Sequence, residues 1–312
     1  LFGLDAHGAV EMQVLPRLGP ARRHRAVCYL VAAMPELPEV ETVARGLRAA
    51  AVGQVIAGVR FGKTDFVKDP SGIERNVPGR RIAAIERYGK LLALVLKPAA
   101  GTAQRLFLMV HLGMTGRFTV TRAADPVPLH THVVFTLDDG RELRFTDPRR
   151  FGRMRLADEA SLPALVGRLG VEPLDISAPD FAERVGCRRA MLKALLLNQS
   201  VLRGMGNIYT DEALWRARLH PRRIAARCDR AALRRLHRAI RQVLSEAIRA
   251  GGSSVSDYVD ANGAPGWFQL RHRAYDREGR PCFRCRTKIR RIIVAGRSSF
   301  FCPRCQPAPR HR

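Results

Sequence analysis

Four cysteines near the end of the chain constrain its fold more than any other feature. Cys282, Cys285, Cys302 and Cys305 form two Cys-x2-Cys pairs separated by sixteen residues. Two tight knuckles at that spacing can present four thiolates tetrahedrally to zinc, and with every position filled by protein the ion is structural. Disulfide or redox pairing is the alternative. One metal explains better why two matched pairs flank the hairpin-like run IRRIIVAGRSSFF at 289–301. The reading is therefore a β-hairpin zinc finger holding one structural Zn2+, with Arg286, Lys288, Arg290, Arg291 and Arg297 available to lie against phosphate. Cys28, Cys187 and Cys228 stand isolated, a usage that fits a reducing compartment.

A finger is only a small part of 312 residues, which is enough chain for two compact units with real cores. Hydrophobic residues make up 46% and charged residues 26%, a globular composition. No apolar run approaches the roughly 18 residues that cross a bilayer, so no membrane span is expected. The 54 Lys+Arg against 28 Asp+Glu leave a net charge of +26, which points to a polyanionic partner. Nucleic acid leads that reading. A membrane surface, or a merely Arg-rich solvated exterior, would carry the same sign. Charge supplies affinity but no chemistry.

Residues 1–33 read unlike the rest and are expected to be an upstream extension or processed leader, absent from the active protein. From Pro35, Val40, Val43, Ala44 and Leu47 recur at helical spacing, with Glu36, Glu39 and Glu41 in or near the first turn, where the helix dipole favours anions. Short β-rich runs follow at GQVIAGVRF, RRIAAIERYGKLLALVLK, QRLFLMVHLG, HVVFTLDDGRELRF and RMRLAD, with a hairpin turn at Asp138, Asp139 and Gly140. One helix plus roughly eight strands suggests a two-layer β-sandwich with flanking helices over 34–157. Beyond a Pro-containing link the pattern turns helical, most clearly at 229–250. There Leu233, Leu236, Ile240, Val243, Leu244 and Ala247 share a face, Asp229 caps the start and Gly251 ends the helix. The class is α+β.

The segment MPELPE at 34–39 has an ordinary account, since Pro and Glu suit any helix start. A sharper one is chemical. Removing everything through Met34 would give Pro35 a free secondary amine, and α-amino groups titrate near 7.7–8, so part of it would be unprotonated near neutrality. Attack of such an amine on a sugar C1′ yields an iminium that is cationic without a proton, an electron sink for later elimination. Glu36 and Glu39 would lie within one turn of it.

PELPEVET, HLGMTG, TDPRRFG, GMGNIYTDEAL and the four-cysteine unit, in that order from Met34 to Cys305, together resemble the bacterial formamidopyrimidine-DNA glycosylases. These are bifunctional 8-oxoguanine DNA glycosylases and AP lyases of base excision repair. The resemblance implies a catalytic β-sandwich (34–157), a helical helix-two-turn-helix domain (158–270), and a zinc finger with tail (271–312). It implies damaged double-stranded DNA as partner, a monomer, and a bacterial cytoplasmic location on the nucleoid. Pro35 resembles the nucleophile and Glu36 the acid that opens the sugar, with Glu39 beside them. Lys90 matches a hairpin lysine credited with proton transfer in β-elimination. Arg297 matches an arginine linked to δ-elimination and phosphate clamping; a guanidinium releases no proton readily, so the clamp is the better role.

On their own HLGMTG and TDPRRFG read as two turns. In the family they supply Met114, Arg149 and Phe151, which fill the hole left by an everted base, with Arg149 facing the orphaned cytosine. Asn207 and Lys193 match phosphate ligands, and His130, Arg188 and Arg189 are further candidates. The Gly-rich loop 251–268 resembles a flap over the everted lesion. Leu91 follows Lys90 where an aromatic is often found, a change of packing rather than chemistry. The rival readings are an endonuclease VIII-like glycosylase for oxidised pyrimidines and a non-catalytic zinc-finger DNA-binding protein.

Overall fold

The computed structural model describes residues 34–98, 104–255 and 258–309; the leader expected at 1–33 lies outside them. The chain opens with helix α1 (Leu37–Ala51). Strands β1 (Val55–Phe61) and β2 (Val67–Lys68), helix α2 (Pro70–Asn76) and strands β3 (Arg80–Tyr88), β4 (Leu91–Pro98) and β5 (Leu106–His111) follow. Then come β6 (Arg117–Arg122), β7 (Thr131–Leu137), β8 (Arg141–Thr146) and β9 (Arg153–Asp158). All nine strands join one sheet in the order β2, β9, β5, β4, β3, β1, β7, β8, β6. Its pairings are antiparallel apart from β2 with β9.

The sheet closes on itself as a sandwich. Phe66, beside edge strand β2, packs its ring 5.5 Å from that of Phe145 on β8 near the opposite edge. Leu94 and Leu108 share that core with Phe118, Phe135 and Leu143, so apolar side chains from both halves of the sheet meet in one interior. The expected face of α1 enters the same core: Val40, Val43, Ala44 and Leu47 are all buried. Each such side chain contributes about 1.5–3 kcal/mol when fully removed from water, Ala less. Leu37 departs from them and packs in the second core, so α1 spans the joint between the two.

Five helices and a hairpin complete the fold: α3 (Leu162–Val166), α4 (Ala178–Gly186), α5 (Leu192–Leu197), α6 (Asn207–Ala217), α7 (Arg230–Arg249), and strands β10 (Arg290–Val294) and β11 (Arg297–Phe301). Helix α3, expected in the second domain, packs Leu162, Leu165 and Val166 against Ala93, Val95, Phe107 and Met109 on the outer face of the sheet. The sandwich lobe therefore runs past residue 157, because that outer face is itself apolar and needs cover. Asp229 caps α7 by accepting a hydrogen bond from Ala232 N at 2.6 Å, and Gly251 ends the helix at φ 73°. The apolar face of α7 packs on α4 and α6, while Cys282, Ile289, Phe300 and Cys302 join the same core and seat the finger on the helices.

The lobes are joined by charge as well. Arg87 on β3 donates to Glu41 on α1 at 2.9 Å and to both oxygens of Glu172 at 3.1 Å, and Arg203 donates to Glu172 at 3.2 Å. The Arg87 and Glu172 side chains are only 8% and 7% exposed. Removing one partner would strand a buried charge, which fixes the register of the joint. Among the described residues no helix is long and apolar enough to cross a membrane.

Candidate active site and metal centre

At the joint, the start of α1 meets the start of α6. The Glu36 carboxylate is buried and accepts hydrogen bonds from Ile208 N at 2.8 Å and Tyr209 N at 3.3 Å, two N–H groups in the first turn of α6. Gly206, just before α6, leaves room for it: a Cβ there would lie 2.3 Å from Glu36 Cδ. Glu39, one turn on, accepts from Glu36 N at 2.9 Å through Oε2; Oε1 accepts from Ser253 N at 2.7 Å and from the Tyr209 hydroxyl. Burial pushes the Glu36 carboxyl above its ordinary range; the Lys90 charge and the two α6 amides oppose this without cancelling it. Burial first, and the neighbouring Glu36 charge second, push Glu39 up to about 7. Both carboxyls are thus shifted toward the protonated form, immediately after Pro35, itself buried.

Lys90 sits in the tight turn between β3 and β4, after Gly89 at φ 62°. Burial lowers its ammonium pKa, the charges of Glu36 and Glu39 oppose that, and Arg297 reinforces it. Arg297 begins β11 after Ala295 and Gly296, which turn the finger hairpin with φ of 50° and 69°. Glu36, Glu39, Lys90 and Arg297 therefore share one electrostatic environment drawn from three distant segments.

Met114, Arg149 and Phe151 are brought together by two loops packed backbone to backbone. A Cβ on Gly113, at φ 68°, would lie 2.5 Å from Gly152 N. Thr115 Oγ1 donates to Asp147, Arg149 N donates to Thr115 Oγ1 at 3.3 Å, and Gly152 N donates to Asp147 Oδ2 at 2.7 Å. On this brace Arg149 lies 4.7 Å over the Phe151 ring, which is 46% exposed. The carbonyl of His130 accepts from Asp147 N at 3.0 Å, so exposed His130 flanks the same loop.

The expected phosphate ligands divide. Asn207 opens α6, half-buried, and Arg188 and Arg189 are exposed between α4 and α5. Lys193 is not a surface ligand. Its side chain is 0% exposed and donates to Asp211 at 2.6 Å and to Asn207 Oδ1 at 2.5 Å, because a buried carboxylate requires a counter-charge. Asp211 Oδ2 also accepts from Phe300 N at 2.9 Å, which ties α6 to β11 and so to Arg297. The flap expectation meets a docked segment: Ser253 is bonded to Glu39, the Tyr258 hydroxyl donates to Glu39 O at 3.3 Å, and Val120 N donates to Ala261 O at 2.9 Å. Sequence reasoning missed Tyr209, Asp211 and Ser253. The first two lie inside GMGNIYTDEAL, where a polar residue amid apolar ones was the available signal.

The four finger cysteines converge, with all sulfurs within 4.8 Å of one another. Separations are 4.0 Å for Cys282 to Cys305, 3.4 Å for Cys285 to Cys302 and 3.5 Å for Cys285 to Cys305. Tetrahedral zinc with Zn–S near 2.3 Å puts sulfurs about 3.8 Å apart. A disulfide needs about 2.05 Å, so the donor set fits a metal and not a cross-link. Arg284 N and Cys305 N point at the sulfurs of Cys282 and Cys302 at 3.5 and 3.4 Å, hydrogen bonds that orient thiolates toward a metal. Four protein ligands make it one structural zinc. Arg284 lies 3.9 Å over the Trp215 ring and anchors the finger to α6.

Fold, acid pair and metal finger define a two-lobed zinc-finger protein with a buried pair of carboxyls at the joint of its lobes. Family models match along the chain: the formamidopyrimidine-DNA glycosylase N-terminal domain over 34–154, its H2TH domain over 169–259, and the zinc finger found in FPG and IleRS over 279–308. The formamidopyrimidine-DNA glycosylase of Solibacter usitatus is 48% identical over 275 residues, covering 88% of this chain and 99% of its own. That of Herpetosiphon aurantiacus is 44% identical over 278 residues, covering 88% and 100%. A point mutant of the Lactococcus lactis FPG, in complex with a Fapy-dG containing DNA, superposes with TM-score 0.80 at 32% identity, over 88% of this chain and 100% of that one. The MutM (FPG) protein of Thermus thermophilus gives 0.76 at 42%, with the same coverage. The chain belongs to the formamidopyrimidine-DNA glycosylase family.

Proposed function

We propose that this chain is a bifunctional DNA glycosylase and AP lyase that removes oxidised purines, 8-oxoguanine and formamidopyrimidines, from duplex DNA. The observation that carries the reading is the buried Glu36–Glu39 pair, set directly after Pro35 and anchored on the first amides of α6. The Pro35 nitrogen attacks C1′ of the everted nucleotide, the N-glycosidic bond breaks, and its electron pair leaves with the base, which takes up a proton. Glu36, whose carboxyl burial shifts toward the protonated form, donates its proton to the ring oxygen as the sugar opens to the iminium. Loss of a C2′ proton then expels the 3′ phosphate; Lys90, its basicity lowered by burial, handles that proton, and a second elimination expels the 5′ phosphate. Arg297 holds phosphate, and Met114, Arg149 and Phe151 occupy the vacated stack.

This chemistry requires a free amine, whereas the Met34–Pro35 peptide bond makes that nitrogen an amide. The active form is therefore proposed to begin at Pro35, as a monomer in the cytoplasm; the chain with that bond intact would be a DNA binder without lyase activity. Chain beginning at Pro35 should release 8-oxoguanine opposite cytosine and leave phosphates at both gap ends. Preference for thymine glycol would instead indicate the pyrimidine-directed relative, and no excision of either would defeat the proposal.

A further inference from the structure

Helix α7 carries six arginines and one carboxylate, Glu246, and that carboxylate is taken by Arg216 through hydrogen bonds of 2.9 and 2.8 Å. Arg234, Arg238 and Arg241 fall at i, i+4 and i+7, a single exposed stripe opposite the face packed on α4 and α6. Among the described residues none of the three makes a hydrogen bond or ion pair. Like charges at these spacings destabilise a helix, so the stripe is not explained by the stability of α7 itself. A groove lined by Arg216, Arg235, Arg238, Arg273 and Arg284 flanks it on one side, and Arg234 and Arg241 rim another over Ala178 and His237.

The chemistry of this face selects its partner. Protein interfaces bury apolar and aromatic anchors at a core depleted in charge, and α7 exposes no large hydrophobic side chain. Protein–DNA interfaces are polar and strongly positive, with arginine forks on phosphate. Position separates the stripe from the catalytic pocket. Gly252, just beyond α7, lies against Glu39; at about 1.5 Å per residue, Arg241 is roughly 15 Å and Arg234 roughly 25 Å back along the helix. We propose that the outer face of α7 is a second duplex-binding surface, engaging the phosphates of a DNA segment other than the one in the catalytic pocket. The surface requires DNA as partner but none of the proline chemistry, so it stands or falls separately from the excision mechanism.

The test is stoichiometry. Sedimentation of the chain with a saturating undamaged duplex of about 12 base pairs should give two duplexes per protein, the weaker with the steeper loss on adding salt. The variant carrying Arg234→Gln, Arg238→Gln and Arg241→Gln keeps good helix formers at exposed positions. It should bind one duplex under the same conditions, any residual second-site binding at low salt having lost about 3 from its salt slope, while single-turnover excision stays within twofold of the parent. One duplex on the parent chain, or two on the variant, would overturn the proposal. A parallel fall in excision would do so too, by placing these arginines on the flank of the substrate duplex.

Discussion

Gly206→Ala isolates the anchoring of Glu36 from the rest of the fold. The residue sits at φ −138° and ψ −159°, extended backbone open to alanine, so on conformational grounds the change would stabilise by about 0.4–1 kcal/mol. The new methyl, however, would lie 2.3 Å from Glu36 Cδ and 2.5 Å from Oε1, and the carboxyl group must leave. Leaving breaks its bonds to Ile208 N and Tyr209 N, groups buried at a helix start with no alternative partner. Each buried N–H left without a partner costs roughly 1–3 kcal/mol, so a net loss of roughly 2–4 kcal/mol is expected after the backbone gain. For a chain of this size that lowers Tm by roughly 5–12 °C. A displaced general acid costs about 10²–10⁴-fold in the step it serves, so single-turnover formation of the borohydride-trappable iminium should fall at least about 10²-fold at a temperature where the variant is fully folded. In the Glu36→Gln background the same change should cost little further activity, because the acid is already gone. A Gly206→Ala protein with parental Tm and parental rate of iminium trapping would refute the idea that this glycine exists for the carboxylate.

Cys302→Ser should release zinc and weaken DNA binding while the sandwich keeps its cooperative unfolding; metal analysis and a binding titration check this, and unchanged affinity would contradict it. Lys90→Met should leave base release near parental and slow strand cleavage about 10²-fold, uncoupling two products that one gel resolves. Burial raises the folded-state pKa of Glu39 from 4.5 to about 7 and that of Asp211 from 3.8 to about 6. Each contribution to stability is complete below the lower value and is lost as pH rises through the higher one; for Glu39 the difference corresponds to roughly 3 kcal/mol. Urea midpoints between pH 4.5 and 8 should therefore decline less steeply in Glu39→Gln than in the parent, and equal slopes would contradict the assignment.

Local periodicity made part of this fold legible. The apolar face of α1, the Asp138–Gly140 turn and the Asp229 cap of α7 are each written within a few residues, and each forms as read. Strand β6 escaped because Arg117–Arg122 buries only Phe118 fully and pairs through β8, a neighbour that its own pattern does not name. The two-residue β2 and the short α2 carry too little sequence to announce themselves. At the site, the cysteine spacing was readable, but the partners of the residues around Pro35 were not. Glu36 finds Ile208 at a separation of 172 residues and Glu39 finds Ser253 at 214, distances at which only the folded chain supplies the relation. Lys193 shows the converse: a lysine in a basic protein suggests phosphate, and only the packing of α5 on α6 reveals Asp211 as its partner.

The proposed chemistry rests on attack of the Pro35 imino nitrogen on the sugar. Chain beginning at Pro35 should be reduced with borohydride during turnover on an 8-oxoguanine duplex, digested, and the DNA-linked peptide sequenced by mass spectrometry. A secondary-to-tertiary amine cross-link on Pro35, and on no lysine, is the expected result. Attachment at Lys90 or another side chain, or an adduct formed with Met34 still joined to Pro35, would contradict it.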